Sequence, residues 1–136
     1  MDDETTIQTI AAALEVWFAL LGRQFGPLSR PQRRIMRLVA NQPEVRVGDL
    51  ASSLGHSTAG ATKMIDTLEK AGFVRRGRLP DTDQRQVYVV LTPAGAEAVR
   101  EADLVFVAQV KRSLDALAPS ERTALAHLLG RIRANS

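Results

Sequence analysis

The sequence contains no cysteine, and this absence excludes several classes of protein. Without thiols there is no disulfide framework, no thiolate metal site and no thiol-based redox sensor. Only two histidines are present, His56 and His127, which are few donors for a nitrogen-ligated metal. We therefore expect no metal and no other cofactor. His127 is expected to lie on the surface or in an interface.

Two further absences concern location. No hydrophobic run approaches the roughly 20 residues that cross a bilayer. The N-terminus begins Met-Asp-Asp-Glu, which is acidic where a secretory signal is basic. We therefore expect a cytoplasmic protein with no membrane partner.

A catalytic site is also hard to find in the sequence, because no nucleophile, base and orienting residue can be grouped. His56 and Ser57 are adjacent, but neighbouring side chains at the start of a helix point apart, and no third partner can be named. We expect a protein that is not an enzyme.

The charge is unevenly distributed. A chain of 136 residues that is 45% hydrophobic and 24% charged predicts one globular domain. Its net charge of +3 divides into −4 for residues 1–22, +6 for residues 23–92 and +1 for residues 93–136. Positive charge in the central block favours a polyanionic partner. The alternative is solvated charge with no partner.

Both ends of the chain carry apolar stripes with helical spacing. The first stripe continues through Trp17 and Leu21 to Phe25, and Thr92-Pro93 and Pro119 each begin a further helix. We expect these helices to form a dimer interface; the alternative is that they cover only the core of the monomer. The interface residues would be Ile7, Ile10, Leu14, Phe106, Val110, Leu114, Leu117, Leu125, Leu128, Leu129 and Ile132.

A separate helix is predicted from Arg30 to Asn41. Gly26-Pro27 ends the preceding helix, and Ser29 with Gln32 forms a capping box. The helix should bury Ile35, Leu38 and Val39. Its solvent-facing side is predicted to carry possible phosphate contacts, although such a charged run is equally typical of a plain soluble face: Arg33, Arg34 and Arg37.

A helix-turn-helix follows. The first helix carries Leu50, Ala51 and Leu54 and stops at Gly55, where a positive φ is expected. The second runs from Ser57 to Ala71-Gly72, and the first turns of a recognition helix must approach base edges closely. Its candidate DNA contacts are small, polar or basic: Ser57, Thr58, Ala59, Gly60, Thr62 and Lys63, with His56 in the turn as a possible phosphate contact. The alternative is an ordinary surface helix.

Two strands around a polar loop complete the predicted unit. Val87, Val89 and Leu91 alternate with Tyr88 and Val90, which predicts a strand with one buried face. An arginine near the tip of such a ribbon can enter the minor groove. The candidate wing contacts are Arg75, Arg76, Arg78, Asp83 and Arg85, where Asp83 would orient Arg85.

These motifs together resemble the MarR family of winged-helix regulators. The resemblance rests on Thr62-Lys63, Leu68, Gly72 and Val74, on Asp83-x-Arg85, and on Leu91-Thr-x-x-Gly95. It implies a homodimer that binds a pseudo-palindromic operator in double-stranded DNA, and a repressor relieved by a small aromatic or phenolic effector. The wing departs from the family pattern, because Pro80 precedes Asp81 and Gln84 precedes Arg85.

The expected fold class is mainly α with a small β-wing (α+β): a winged helix-turn-helix flanked by N- and C-terminal dimerisation helices. We expect a single MarR-like domain over residues 1–136, with a DNA-binding lobe at 28–92 and a helical dimerisation lobe at 5–25 and 93–136. A winged-helix protein-interaction module without a DNA-specific function is the alternative.

Overall fold

A computed structural model describes residues 1–55, 57–78 and 87–135. The chain divides into two units, which we call the core unit (Arg23–Val105) and the helical unit (Met1–Gly22 with Phe106–Ser136). Helices and two small antiparallel sheets make up most of the described chain, which confirms the mainly α class with a β-wing. None of the described helices combines the length and hydropathy needed to cross a membrane.

The core unit begins with a short hairpin that the sequence did not predict. Strand β1 (Gln24–Phe25) pairs with β2 (Leu28–Ser29), and Gly26 at φ +58° stands in the turn between them. The expectation that Gly26-Pro27 ends a helix was therefore wrong, because the first helix has already stopped at Leu20. Phe25 is buried in the core unit, 1% exposed, and does not extend the N-terminal stripe.

Helix α2 (Arg30–Ala40) starts at the predicted capping box. The Ser29 hydroxyl accepts a hydrogen bond from the Gln32 N–H at 3.3 Å, and the Gln32 side chain accepts one from the Ser29 N–H at 2.9 Å. Two backbone N–H groups at the start of the helix, which have no acceptor within the helix, gain hydrogen bonds in this way. The buried residues are Ile35, Met36 and Val39, so Met36 takes the place expected of Leu38, which is half-buried.

The helix-turn-helix follows as predicted. Helix α3 (Val47–Leu54) ends at Gly55, whose φ of +67° is open to glycine at little steric cost. Helix α4 (Thr58–Lys70) buries Ala61, Ile65 and Leu68. Since α3 buries Leu50, Ala51 and Leu54, small alanines on both helices allow the close crossing that their spacing indicated.

A three-stranded sheet in the order β3-β5-β4 closes the core unit. Its strands are β3 (Val45–Arg46), β4 (Val74–Gly77) and β5 (Tyr88–Leu91), all paired antiparallel. The pairing of β3 with β5 was not predicted, and it makes β5 the central strand. The side chains of Tyr88 and Val89 point to opposite faces of the sheet and are both buried, so the expected one-sided alternation is not observed.

Helix α5 (Pro93–Ser113) begins against the backbone that leads into β4. The Thr92 hydroxyl accepts a hydrogen bond from the Gly95 N–H at 3.0 Å and donates one to the Gly72 carbonyl, so the predicted cap is confirmed. Within the core unit α5 buries Gly95, Ala98, Val99 and Ala102. Every described hydrophobic side chain that is fully buried lies in the core unit.

The helical unit contains α1 (Asp3–Leu20), the end of α5, a 3-10 turn (Leu114–Ala116) and α6 (Pro119–Ala134). Leu114 and Leu117 thus lie beyond α5, not on it as the stripe predicted. The Asp2 carboxylate accepts a hydrogen bond from the Thr5 N–H at 2.7 Å, and this bond lowers the pKa of Asp2. Neither α1 nor α6 buries a single residue.

Candidate nucleic-acid interface

The start of α4 presents the predicted recognition residues. The Ser57 hydroxyl caps the helix by accepting a hydrogen bond from the Gly60 N–H at 3.1 Å. Thr58, Ala59 and Lys63 are exposed, whereas Gly60 and Thr62 are half-buried. The exposed side chains of the predicted face are therefore small or polar, and one of them is basic. The helix dipole adds a partial positive charge at this end of α4.

A cleft of about 560 Å³ opens beside this face in the core unit. Its walls come from the starts of α3 and α4 and from the strands, and they are lined by Arg46, Val47, Gly48, Asp49, Thr58, Thr62, Arg76 and Val87. Two opposite charges, Arg46 and Asp49, flank the N-terminus of α3. The cleft gathers polar groups next to the recognition face, where a phosphate backbone or a base edge can be contacted.

Arg46 is a candidate contact that the sequence analysis missed. It is exposed at the end of β3, and its guanidinium carbon lies 6.0 Å from the centre of the Tyr88 ring. The alternation in Val45-Arg46-Val47 was the available signal, since it places one arginine between two apolar residues. A strand of two residues carries no clear periodicity, so neither β3 nor its arginine was predicted.

The described part of the wing carries three of the predicted residues. Arg75 and Arg78 are exposed, while the Arg76 side chain is only 27% exposed. The strand register pairs Arg75 with Val90 and Arg76 with Val89. Asp83, Arg85 and the loop tip with Pro80 and Asp81 lie outside the described residues, as does His56. Their proposed contacts stay predictions.

Arg76 faces α4 rather than solvent. Its guanidinium forms ion pairs with Asp66 and, at 3.6 Å, with Glu69, and it donates a hydrogen bond to the Thr62 carbonyl at 3.2 Å. The Arg76 backbone N–H also donates to the Glu69 carboxylate at 3.0 Å. One residue of the wing strand is thereby joined to three residues of α4.

The arginines of α2 also differ in whether they are bonded to other residues or exposed to solvent. Arg33 donates from Nε to Asp103 at 3.0 Å, lies 5.8 Å from the Phe25 ring centre and is only 14% exposed, so it is not solvent-facing as predicted. Arg37 pairs with the same carboxylate at 3.3 Å but is 49% exposed. Arg34 is exposed. Exposure leaves Arg34 and Arg37 as the accessible members of the predicted phosphate set.

The predicted interface residues of the helical unit are largely uncovered. Ile7, Ile10 and Leu14 on α1 are 58%, 55% and 54% exposed, and Leu128, Leu129 and Ile132 on α6 are 50%, 43% and 64% exposed. The others, Phe106, Val110, Leu114, Leu117 and Leu125, are half-buried. An apolar groove of about 490 Å³ runs along these helices and is lined by Ile10, Ala13, Leu14, Trp17, Ser113, Leu114, Ala116, Leu117, Leu125, Leu128, Leu129 and Ile132.

The described residues do not include a group of side chains that could bind a metal ion. Across residues 1–55, 57–78 and 87–135, no three His, Asp or Glu side chains are grouped as metal ligands. Two groups of ion pairs in the core unit, those of Arg76 and of Asp103, each join one element to another.

Comparison with known proteins agrees with the resemblance seen in the motifs. Residues 28–87 match the model of the MarR family. A curated relative, the uncharacterized HTH-type transcriptional regulator YfiV of Bacillus subtilis, is 35% identical over 98 residues, which are 72% of this chain and 61% of the relative. The chain spans less than two thirds of the length of the curated relatives it matches.

Solved structures share the fold over nearly the whole chain. AbsC, a MarR family transcriptional regulator from Streptomyces coelicolor, is 26% identical with a TM-score of 0.72, over 99% of this chain and 95% of that one. A cysteine-to-serine mutant of MarR from E. coli, complexed with operator DNA, is 22% identical with a TM-score of 0.70, over 97% and 99%. The winged-helix fold predicted from the motifs is thus confirmed, and the resemblance to the MarR family is confirmed over residues 28–87.

Proposed function

We propose that this protein is a homodimeric transcriptional regulator that binds a pseudo-palindromic operator in double-stranded DNA. The observation that carries the proposal is that Thr58, Ala59 and Lys63 are exposed at the start of α4, while Arg75 and Arg78 are exposed on the wing. Small side chains let the helix enter the major groove, and the flanking cations contact phosphates. The operator complex of the E. coli MarR mutant shares this fold and supports the assignment.

The dimer follows from where the apolar surface lies. The helical unit leaves Ile10, Leu14 and Ile132 more than half exposed, and the described part of that unit has no fully buried hydrophobic residue. Removing apolar surface of this kind from water stabilises the assembly that buries it by about 25 cal/mol per Å². A second copy covering it would place two α4 helices in successive major grooves, about 34 Å apart.

The regulatory part of the proposal is repression relieved by a small aromatic or phenolic ligand, in a cytoplasmic protein without catalytic activity. It rests on the family resemblance. Release of bound DNA by members of a panel of small phenolic compounds tests it. Unchanged affinity with every compound would contradict this choice of effector class.

The DNA-binding part is tested by selection from a randomised duplex library with the full-length protein. We expect enrichment of two inverted half-sites whose centres are about one helical turn apart, around 10 base pairs. A fixed-spacing inverted repeat supports both the reader and the dimer. Enrichment of a single half-site would contradict the dimer. If no sequence is enriched and binding to random duplex does not depend on salt, the chain is instead a winged-helix protein-interaction module.

A further inference from the structure

Arg76 differs from the other described wing arginines in what it contacts. The neighbouring Arg75 and the nearby Arg78 are exposed, and neither forms an ion pair with a described residue. The Arg76 guanidinium instead meets Asp66, Glu69 and the Thr62 carbonyl, all of them on α4. A guanidinium whose donors are directed at two carboxylates and a carbonyl has few left for a phosphate.

The backbone of the same residue makes a second connection. β4 lies at the edge of the sheet, because the strand order is β3-β5-β4. The N–H of Arg76 donates to the Glu69 carboxylate at 3.0 Å, so α4 supplies the acceptor that an edge strand lacks. Side chain and main chain of one residue are therefore both bonded to α4, over two turns of the helix.

We propose that Arg76 is a positioning residue that fixes the wing strand to the recognition helix, rather than a DNA contact. This assignment rests on the DNA-binding function proposed above. It explains how the wing strand and the recognition helix keep one orientation relative to each other. Asp66 and Glu69 act with it as the acceptors on α4. The two elements then meet the operator as one rigid surface, which reduces the conformational freedom lost on binding.

The salt dependence of DNA affinity separates a positioning residue from a phosphate contact. Each phosphate contact that is lost lowers the slope of log K against log salt by about one. We expect Arg75→Ala to lower this slope by about one on the selected duplex. We expect Arg76→Ala to weaken binding to that duplex about fivefold, as for loss of a partly exposed ion-pair network, with an unchanged slope. A slope lowered by about one in Arg76→Ala, or unchanged affinity, would overturn the proposal.

Neutralising the two acceptor carboxylates should change DNA affinity in the direction opposite to the one that simple electrostatics predicts. Asp66→Asn with Glu69→Gln removes two negative charges from the recognition helix, and general attraction to a polyanion would then strengthen binding. Loss of positioning predicts weaker binding to the selected duplex and little change on a random one. Stronger binding to the selected duplex would overturn the proposal. Arg100→Ala, which removes the exposed Arg100–Glu97 pair of α5, is the control for losing an ion pair elsewhere.

Amide hydrogen exchange tests the connection between Arg76 and α4 without DNA. This test remains valid even if the proposed DNA-binding function is wrong. The Arg76 N–H should be protected in the wild-type protein and should exchange faster in Glu69→Ala, because its acceptor is then lost. The Arg75 and Val90 amides, on residues that are paired across β4 and β5, report whether the sheet itself remains folded. Unchanged exchange at Arg76 in this variant, with the sheet intact, would disprove the fixed connection.

Discussion

A Cβ atom built at Gly95 would lie 1.9 Å from the carbonyl oxygen of Phe73. The first turn of α5 therefore packs directly on the backbone that leads into β4, and only glycine leaves room for that carbonyl. The contact ties the end of the helix-turn-helix to the helix that continues out of the core unit. Leu91-Thr-x-x-Gly95, one of the motifs of the family resemblance, has a steric explanation at its last position.

Gly95→Ala is expected to destabilise the protein by about 3 kcal/mol, because the added methyl group overlaps a backbone atom that cannot move independently. Thermal or urea unfolding measures the change. Gly48→Ala is the matched control in α3, where an added Cβ has nothing within 4 Å. That change should be neutral or stabilising by up to about 1 kcal/mol, since alanine favours a helix. Equal effects of the two substitutions would contradict the close contact.

Ser57→Ala should cost about 1 kcal/mol, because the Gly60 N–H then loses its acceptor at the start of α4. Ser57→Asp separates the two roles of this position. Aspartate retains the cap and should keep the wild-type free energy of unfolding, yet its charge should weaken DNA binding by repelling phosphates. If the aspartate variant is as unstable as the alanine variant, the hydroxyl is not acting as the cap.

Lys63→Ala should weaken binding to the selected duplex by about 1 to 3 kcal/mol and, if the ammonium contacts a base, relax the preference at one position. Lys70→Ala, in the last turn of the same helix, also removes an exposed lysine and serves as the control. We expect its affinity to match that of the wild type. Fluorescence anisotropy at fixed salt measures both, and equal losses would place the contact elsewhere on α4.

Leu14→Glu should dissociate the dimer, since a charge would then lie in the apolar groove. Sedimentation velocity at micromolar concentration gives the oligomeric state, and circular dichroism shows whether the variant remains folded. Gln8→Glu adds the same charge to α1 away from the apolar stripe and should remain dimeric. A wild-type protein that sediments as a monomer under these conditions would refute the dimer altogether.

The sequence predicted some elements better than others, for identifiable reasons. The helix-turn-helix was found because local signals coincide there: Gly55 supplies a left-handed turn, Ser57 a cap, and alanines a close crossing. Two-residue strands carry no periodicity, so the β1–β2 hairpin and β3 went unnoticed. Once β3 pairs with β5, the central strand is covered on both edges, which a period of two cannot reveal.

The candidate site shows the same division between local and distant information. Exposed recognition residues such as Thr58 and Lys63 follow from their positions in one helix. The partners of Arg33 and Arg76 lie 70 and 10 residues away, and sequence alone treats every arginine in a basic run as available. A charge pattern thus predicts how many cations a surface carries, but not which of them are already bonded.

Helix α1 buries none of its residues. In proteins most of the stability of a helix comes from packing of its apolar face, so most of the stability of α1 must come from whatever covers that side. In the proposed dimer that cover is the second copy, and the helical content of the N-terminus becomes a function of protein concentration by mass action. Dilution would then lower helicity and operator occupancy together, and the number of molecules in the cell would set how sharply repression responds to changes in synthesis.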